Sequence, residues 1–266
     1  MTKQGEASAE SLASSIRGEL KRAGSRAAIF AEEERYRAFM EQQFPGGDPR
    51  ALKHGYAVRL SGALARTIAD ALRPDFPGIL PDAHGKGGES AAPVHAGYKK
   101  LDINYSTIQL GLALGISIKT LNFHDEGSGR YTKNATRVDN ELRAEADDYH
   151  RRQPYCVMIA LVFVPSATTR DPGTKNRTSF RHIYETLSKR SGRLDHNGPT
   201  DKFERIFLAV YQENETSLNY GQVTYCEVLN RDDSTNEPVN GLTLADVLAS
   251  ITETYYRRNP QQRRRR

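Results

Sequence analysis

The chain has 266 residues, of which 37% are hydrophobic and 27% are charged, and its net charge is +5. This length can bury one core with a small appendage, and the positive charge suits a polyanionic partner. No apolar run approaches the ~20 residues of a membrane span, which excludes that class. Two cysteines, Cys156 and Cys226, exclude a disulfide scaffold and a thiolate zinc site, and they favour a reducing cytoplasm.

The first third of the chain predicts two helices and a long loop. Residues 1–25 are polar and are predicted to be flexible. Apolar residues then recur at helical spacing over 27–44 and 49–72, and each stretch ends at a proline-containing turn. Residues 74–97 are rich in glycine, proline and small residues, which predicts a loop.

The rest of the chain predicts alternating strands and helices. Strands are expected over 98–106, 114–121, 155–164, 203–212 and 222–229, and helices over 137–152 and 243–257. The prediction is therefore an α/β fold, a three-layer core with a central mixed sheet flanked by helices. It forms one domain over 26–258 with a catalytic core at about 98–164, followed by a basic tail over 259–266.

Three side chains in the central region suggest one chemical site. Asp102 is predicted in the strand over 98–106, and Lys119 in the next strand, where apolar neighbours make an unpaired ammonium costly. Glu145 shares a helical stripe with Val138 and Leu142, which turns its carboxylate inward. Carboxylates that hold Mg²⁺ beside a lysine are suited to hydrolysis of a phosphodiester.

Other residues extend this candidate site. Glu141 lies one helical turn before Glu145, and either acid is a candidate ligand. Ser117 shares a strand face with Lys119 because the two are two residues apart, and it is expected to form a hydrogen bond in the site. Glu33 falls on the apolar face of the helix predicted over 27–44, so it is also expected to point inward and is a further candidate metal ligand.

This arrangement resembles the PD-(D/E)XK nuclease superfamily over residues 98–164. The family places an acid on one strand and acid-x-lysine on the next, followed by a helix and a core strand. Asp102 and Lys119 match, whereas Ser117 stands where the second acid belongs. A Ser-x-Lys variant of the family takes that acid from the helix, a role for Glu145 or Glu141. The segment from Glu145 to Tyr149 also resembles the helix motif of RecB-like nucleases, with glutamate replacing glutamine.

The resemblance implies a restriction-endonuclease-like core and a Mg²⁺-dependent DNA endonuclease of a restriction or phage-defence system, with Mn²⁺ as a substitute. It implies that Asp102, Glu145 and the carbonyl of Ile118 bind the metal. It further implies double-stranded DNA as partner, and cutting both strands favours a homodimer. A partner protein of the defence system is a further expectation, and no membrane association is expected. Alternatives are an RNase or single-strand nuclease on the same fold, and a catalytically decayed nucleic-acid-binding module.

Basic residues flank the candidate site and predict contacts with nucleic acid. The candidates are Arg130, Lys133 and Arg137, before and within the helix over 137–152, and Arg177 and Arg181 in a later basic stretch. The seven histidines show no metal-ligand spacing and are interpreted as surface groups.

Overall fold

The computed structural model describes residues 3–22, 49–88, 90–94, 97–125, 127–171, 177–230 and 241–263. Its helices are α1 (Lys3–Arg22), α2 (Pro49–Leu72), α3 (Ala135–Arg152), α4 (Ser179–Leu187), α5 (Leu244–Arg258) and a short α6 (Pro260–Arg263). Its strands are β1 (Ser90–Val94), β2 (Gly97–Leu101), β3 (Ile103–Thr107), β4 (Gly111–Thr120), β5 (Val157–Pro165), β6 (Arg205–Tyr211) and β7 (Val223–Glu227). Within these ranges, no helix has the length and apolar character needed to cross a bilayer.

Five strands form a mixed sheet in the order β3-β4-β5-β6-β7. The central strands β4, β5 and β6 are parallel, and β3 and β7 pair antiparallel at the two edges. Because parallel strands need long crossovers, α3 lies between β4 and β5 in the chain, and α4 between β5 and β6. Strands β1 and β2 form a separate antiparallel ribbon.

Each face of the sheet carries its own hydrophobic core. Alternate residues of β5 point to opposite faces, and all of them are buried. Ile159 and its neighbours on the first face pack with α1, α2 and α5, whereas Met158 and its neighbours on the second face pack with α3 and α4. The predicted three-layer α/β architecture with a mixed central sheet is confirmed.

The prediction of a flexible N-terminus over residues 1–25 is wrong, because residues 3–22 form α1. Leu12, Ile16 and Leu20 recur every four residues and are almost fully buried against the first face of the sheet. The other positions of α1 are mostly polar, so this narrow stripe is easily overlooked in the sequence.

Two further boundaries differ from the prediction. The strand expected over 98–106 is interrupted at Asp102, which lies between β2 and β3, and the loop expected over 74–97 contains β1. The basic tail expected over 259–266 begins with buried Asn259 and the short helix α6. The helix predicted over 27–44, with Glu33, lies outside the described residues.

Candidate active site

Lys119 is the centre of the candidate site. It lies near the carboxyl end of β4, and its Nζ is 2.6 Å from Glu145 Oε1 and 3.6 Å from Glu141 Oε2. Burial alone would lower the pKa of Lys119, but the carboxylates of Glu145, Asp102 and Glu141 outweigh burial and raise it. The ammonium form of the side chain is therefore favoured, with Glu145 and Glu141 in contact and Asp102 adding electrostatic attraction.

Asp102 is held at the point where the chain passes from the ribbon into the main sheet. Its Oδ2 accepts a hydrogen bond from the Ile118 N–H at 2.7 Å, and its Oδ1 accepts one from the Ser61 hydroxyl at 3.4 Å. The β3–β4 pairing starts with Ile103 opposite Ile116. The Asp102 carboxylate thus bonds to β4 just beyond the end of this pairing. The N–H and C=O groups of one strand residue point to the same side of the strand. The Ile118 carbonyl therefore also points to the side on which Asp102 lies.

The two helix acids differ in environment. The Glu145 side chain is 17% exposed, and its Oε2 is buried without a hydrogen-bond partner among the described residues. The Glu141 side chain is 37% exposed and also pairs with Arg137, one helical turn earlier. Glu145 is therefore the inner acid of the site and Glu141 the outer one. The inward position of Glu145 agrees with the predicted helical stripe, because Val138 and Leu142 on the same face of α3 are buried.

The expected hydrogen bond of Ser117 is not found. Ser117 is buried, and its Oγ has no hydrogen-bond partner in the part of the chain that the structure describes. The residue is paired in register with Ala160 of β5, which offers no polar side chain at that position. Ser117 thus adds a buried, unpaired hydroxyl near Lys119 and no negative charge.

A cleft of about 510 Å³ opens beside these residues. One wall is α2, with His54, Ser61 and Arg66 among its lining residues, and the turn at Pro81–Gly88 adjoins it. The opposite side is formed by Asp102, by the end of β4 at Ile118, Lys119 and Thr120, and by the start of α3 at Arg137, Val138 and Glu141. The cleft therefore gives a ligand access to Lys119 and Asp102.

Of the cations predicted to contact nucleic acid, the structure places Arg137 in the cleft lining. Lys133 pairs with Asp125 at 2.6 Å, and Arg177 and Arg181 pair with Glu185 at 2.9 and 2.8 Å. Arg130 lies in the turn before α3 and is half-buried. These four residues are not part of the cleft lining, so the structure does not bring them to the site.

Sequence reasoning missed the contribution of α1 and α2. Ser61 of α2 bonds to Asp102, and the buried Glu19 of α1 lines the cleft and pairs with Arg59 at 3.3 Å. The bounds of α2 agree with the prediction, but its sequence carries no motif that marks Ser61. The feature of the sequence that could have indicated Glu19 is the adjacent helical stripe of Leu12, Ile16 and Leu20.

The site offers oxygen donors of the type that Mg²⁺ prefers: the carboxylates of Asp102 and Glu145 and the carbonyl of Ile118. The buried, unpaired Oε2 of Glu145 fits such a role, because a buried carboxylate oxygen is costly without a partner. Among the described residues, no group of three or more His, Cys, Asp and Glu side chains is arranged to hold a metal. Any metal site here therefore depends on two acids and a backbone oxygen.

Comparisons with protein-family models, curated proteins and solved structures found no match to this chain.

Proposed function

We propose that the chain is a Mg²⁺-dependent endonuclease that hydrolyses DNA phosphodiester bonds. The observation that supports this most is the 2.6 Å ion pair between Lys119 and Glu145, next to a cleft that Lys119 and Asp102 line. The order of Asp102, Lys119 and Glu145 along the chain is the one expected from the resemblance to PD-(D/E)XK nucleases.

Asp102, Glu145 and the Ile118 carbonyl would hold the cation. When bound, Mg²⁺ lowers the pKa of a water molecule and offsets negative charge on the phosphate. Asp102 is suited to its role because the Ile118 N–H and the Ser61 hydroxyl fix its carboxylate. Glu145 is suited because its Oε2 has no competing hydrogen bond within the described residues.

Lys119 would act as a donor and not as a base. The neighbouring carboxylates raise its pKa, which favours the protonated ammonium form of Nζ. It can instead donate hydrogen bonds to the attacking water and to a phosphate oxygen that gains negative charge. Hydrolysis forms a bond between the water oxygen and phosphorus, and it breaks the bond between phosphorus and the leaving ester oxygen. The attacking water would release its proton to solvent, and the leaving oxygen would take up a proton from solvent.

The biological setting we propose is a restriction or phage-defence system. Cleavage of both strands of a duplex would suit a homodimer, in which each chain cuts one strand.

The proposal predicts a difference between the two helix acids. Glu145→Gln should lower plasmid cleavage in Mg²⁺ by about 100-fold or more, because it removes a charged ligand. Glu141→Gln should lower it less than about tenfold, since Glu141 is the outer acid. The measurement is the initial rate of supercoiled plasmid loss, and chelation with EDTA should stop the reaction.

Three outcomes would contradict this account. Equal rates for Glu145→Gln and the wild-type protein would mean that Glu145 has no role in cleavage. Faster cleavage of RNA or single-stranded DNA than of matched duplex would mean that duplex DNA is not the preferred substrate. Duplex binding without cleavage in Mg²⁺ or Mn²⁺ would favour a nucleic-acid-binding module that has lost its activity.

A further inference from the structure

The wall of the cleft formed by α2 carries two basic side chains that have no partner among the described residues. Four basic side chains line the cleft outside the catalytic cluster, and two of them are occupied: Arg59 pairs with Glu19, and Arg137 with Glu141. His54 and Arg66 are exposed on α2, and neither has an ion pair or side-chain hydrogen bond with the residues described. The positively charged Arg66 is therefore available to a ligand that enters the cleft.

The position of Arg66 is set by its neighbours, although its guanidinium group has no ion pair within the described ranges. A Cβ added at Gly85 would lie 2.9 Å from Arg66 Cδ, so the arginine stem runs close over a residue without a side chain. A Cβ added at Gly62 would lie 3.9 Å from an Arg66 guanidinium nitrogen. The guanidinium group therefore lies back along α2, on the side of Gly62 and Ser61.

The turn under Arg66 is stiff. The Asp82 carboxylate accepts hydrogen bonds from the N–H groups of His84 and Lys86, at 2.9 and 2.8 Å. The Asp82 and Gly85 N–H groups also donate to backbone carbonyls within the turn. Gly85 has a φ of +74°, which favours glycine at this position. A fixed turn restricts the arginine stem and lowers the entropy that a ligand contact would cost.

Small side chains form much of the cleft wall between His54 and Arg66. Ala57, Ser61, Gly62 and Ala65 line it together with the larger Val58 and Arg59, so a ligand backbone can approach α2 most closely at Ser61 and Gly62. At 1.5 Å per residue, the twelve positions from His54 to Arg66 span about 18 Å. This length matches about five nucleotide steps of 3.4 Å in one DNA strand.

We propose that α2 is the wall of the cleft that holds the phosphate backbone of the cleaved DNA strand, with Arg66 as a phosphate-contacting positioning residue. The inference rests on the proposed nuclease function and adds a contact surface to it. Ser61 links this wall to Asp102 by its hydroxyl, so a strand lying along α2 passes next to the catalytic cluster.

The test is duplex DNA binding measured by fluorescence anisotropy over a range of KCl concentrations, with Ca²⁺ replacing Mg²⁺. Arg66→Ala should weaken binding about tenfold and reduce the slope of log affinity against log salt by about 1. Arg66→Lys should keep the slope, because it keeps the charge. Arg257→Ala is the matched control, since Arg257 is exposed on α5 and does not line the cleft.

An Arg66→Ala protein with the affinity and slope of the wild type would overturn the inference, as would an equal loss in Arg257→Ala. Thermal unfolding of each variant should match the wild type, which separates a lost contact from a lost fold. If the wild-type protein binds no duplex at any salt concentration, the proposed function itself fails. If the wild-type protein binds duplex but Arg66→Ala binds equally well, only the inference about Arg66 fails.

Discussion

Lys119→Met should reduce cleavage of duplex DNA by roughly 10³-fold, a loss typical of removing one donor that stabilises a transition state. Methionine keeps the length and apolar stem of lysine but removes the ammonium group. The side chain of Lys119 is 18% exposed and contacts Glu145 at 2.6 Å, so no solvent cation can take its position without reorganising the site. The measurement is kcat with plasmid DNA in Mg²⁺.

Lys133→Met is the matched control for this variant. Lys133 also forms a 2.6 Å pair with a carboxylate, that of Asp125, but it is 71% exposed and lies outside the cleft lining. Its substitution should leave the cleavage rate within about twofold, as expected for a surface ion pair. Similar losses in both variants would mean that the ammonium group of Lys119 has no special role.

Glu204→Gln should lower the free energy of unfolding by about 3–5 kcal/mol, because it leaves buried charge without a counterion. Glu204 is buried at the amino end of β6, where its carboxylate pairs with Arg193 at 3.0 Å and with Arg258. It also lies 3.4 Å from His150 Nε2 and accepts the Met158 N–H at 2.7 Å. The variant would leave two arginines in the interior facing a neutral amide.

Denaturant unfolding of Glu204→Gln and of a control, Glu185→Gln, measures this effect. Glu185 also pairs with two arginines, Arg177 and Arg181, but at the surface, so its loss should cost less than about 1 kcal/mol.

Burial would raise the pKa of Glu204, but His150 and Arg258 outweigh burial and lower it. Its stabilisation is therefore present above the ordinary glutamate pKa and is lost as the pH falls below that value. Equal stability of the two variants would contradict the account.

The sequence predicted the elements that have a strong hydrophobic period. The bounds of α2 agree with the prediction, and β5 and α3 agree to within a few residues, because each carries a long stripe or an unbroken apolar run. The same periodicity predicted that Glu145 faces inward, and the structure places it against Lys119. The strand carrying Lys119 was likewise predicted from its apolar neighbours.

The remaining features depend on contacts between distant segments. The interruption at Asp102 arises because the chain changes from pairing with β1 to pairing with β4, which local alternation cannot reveal. The contact between Ser61 and Asp102 joins residues 41 positions apart. His150 was interpreted as a surface group, yet it is buried against Glu204, since a histidine's burial depends on a partner 54 positions later.

Arg193 shows the same limit for the basic stretch over residues 169–199. Its side chain is fully buried and also donates to the carbonyls of Pro154 and His196, which nothing in the local sequence indicates. A count of positive charges in this stretch therefore overstates the surface available to DNA. Apart from Lys119 of β4, the described basic residues that line the cleft come from α2 and α3.

Manganese binding tests the central claim most directly. Titration of the wild-type protein with Mn²⁺, followed by calorimetry, should give one site per chain, and Asp102→Asn should weaken that site at least about tenfold. Lys119→Met should retain the site, because it removes a cation and no ligand. Absence of Mn²⁺ binding by the wild-type protein, or equal affinity in Asp102→Asn, would contradict a metal held by Asp102 and Glu145.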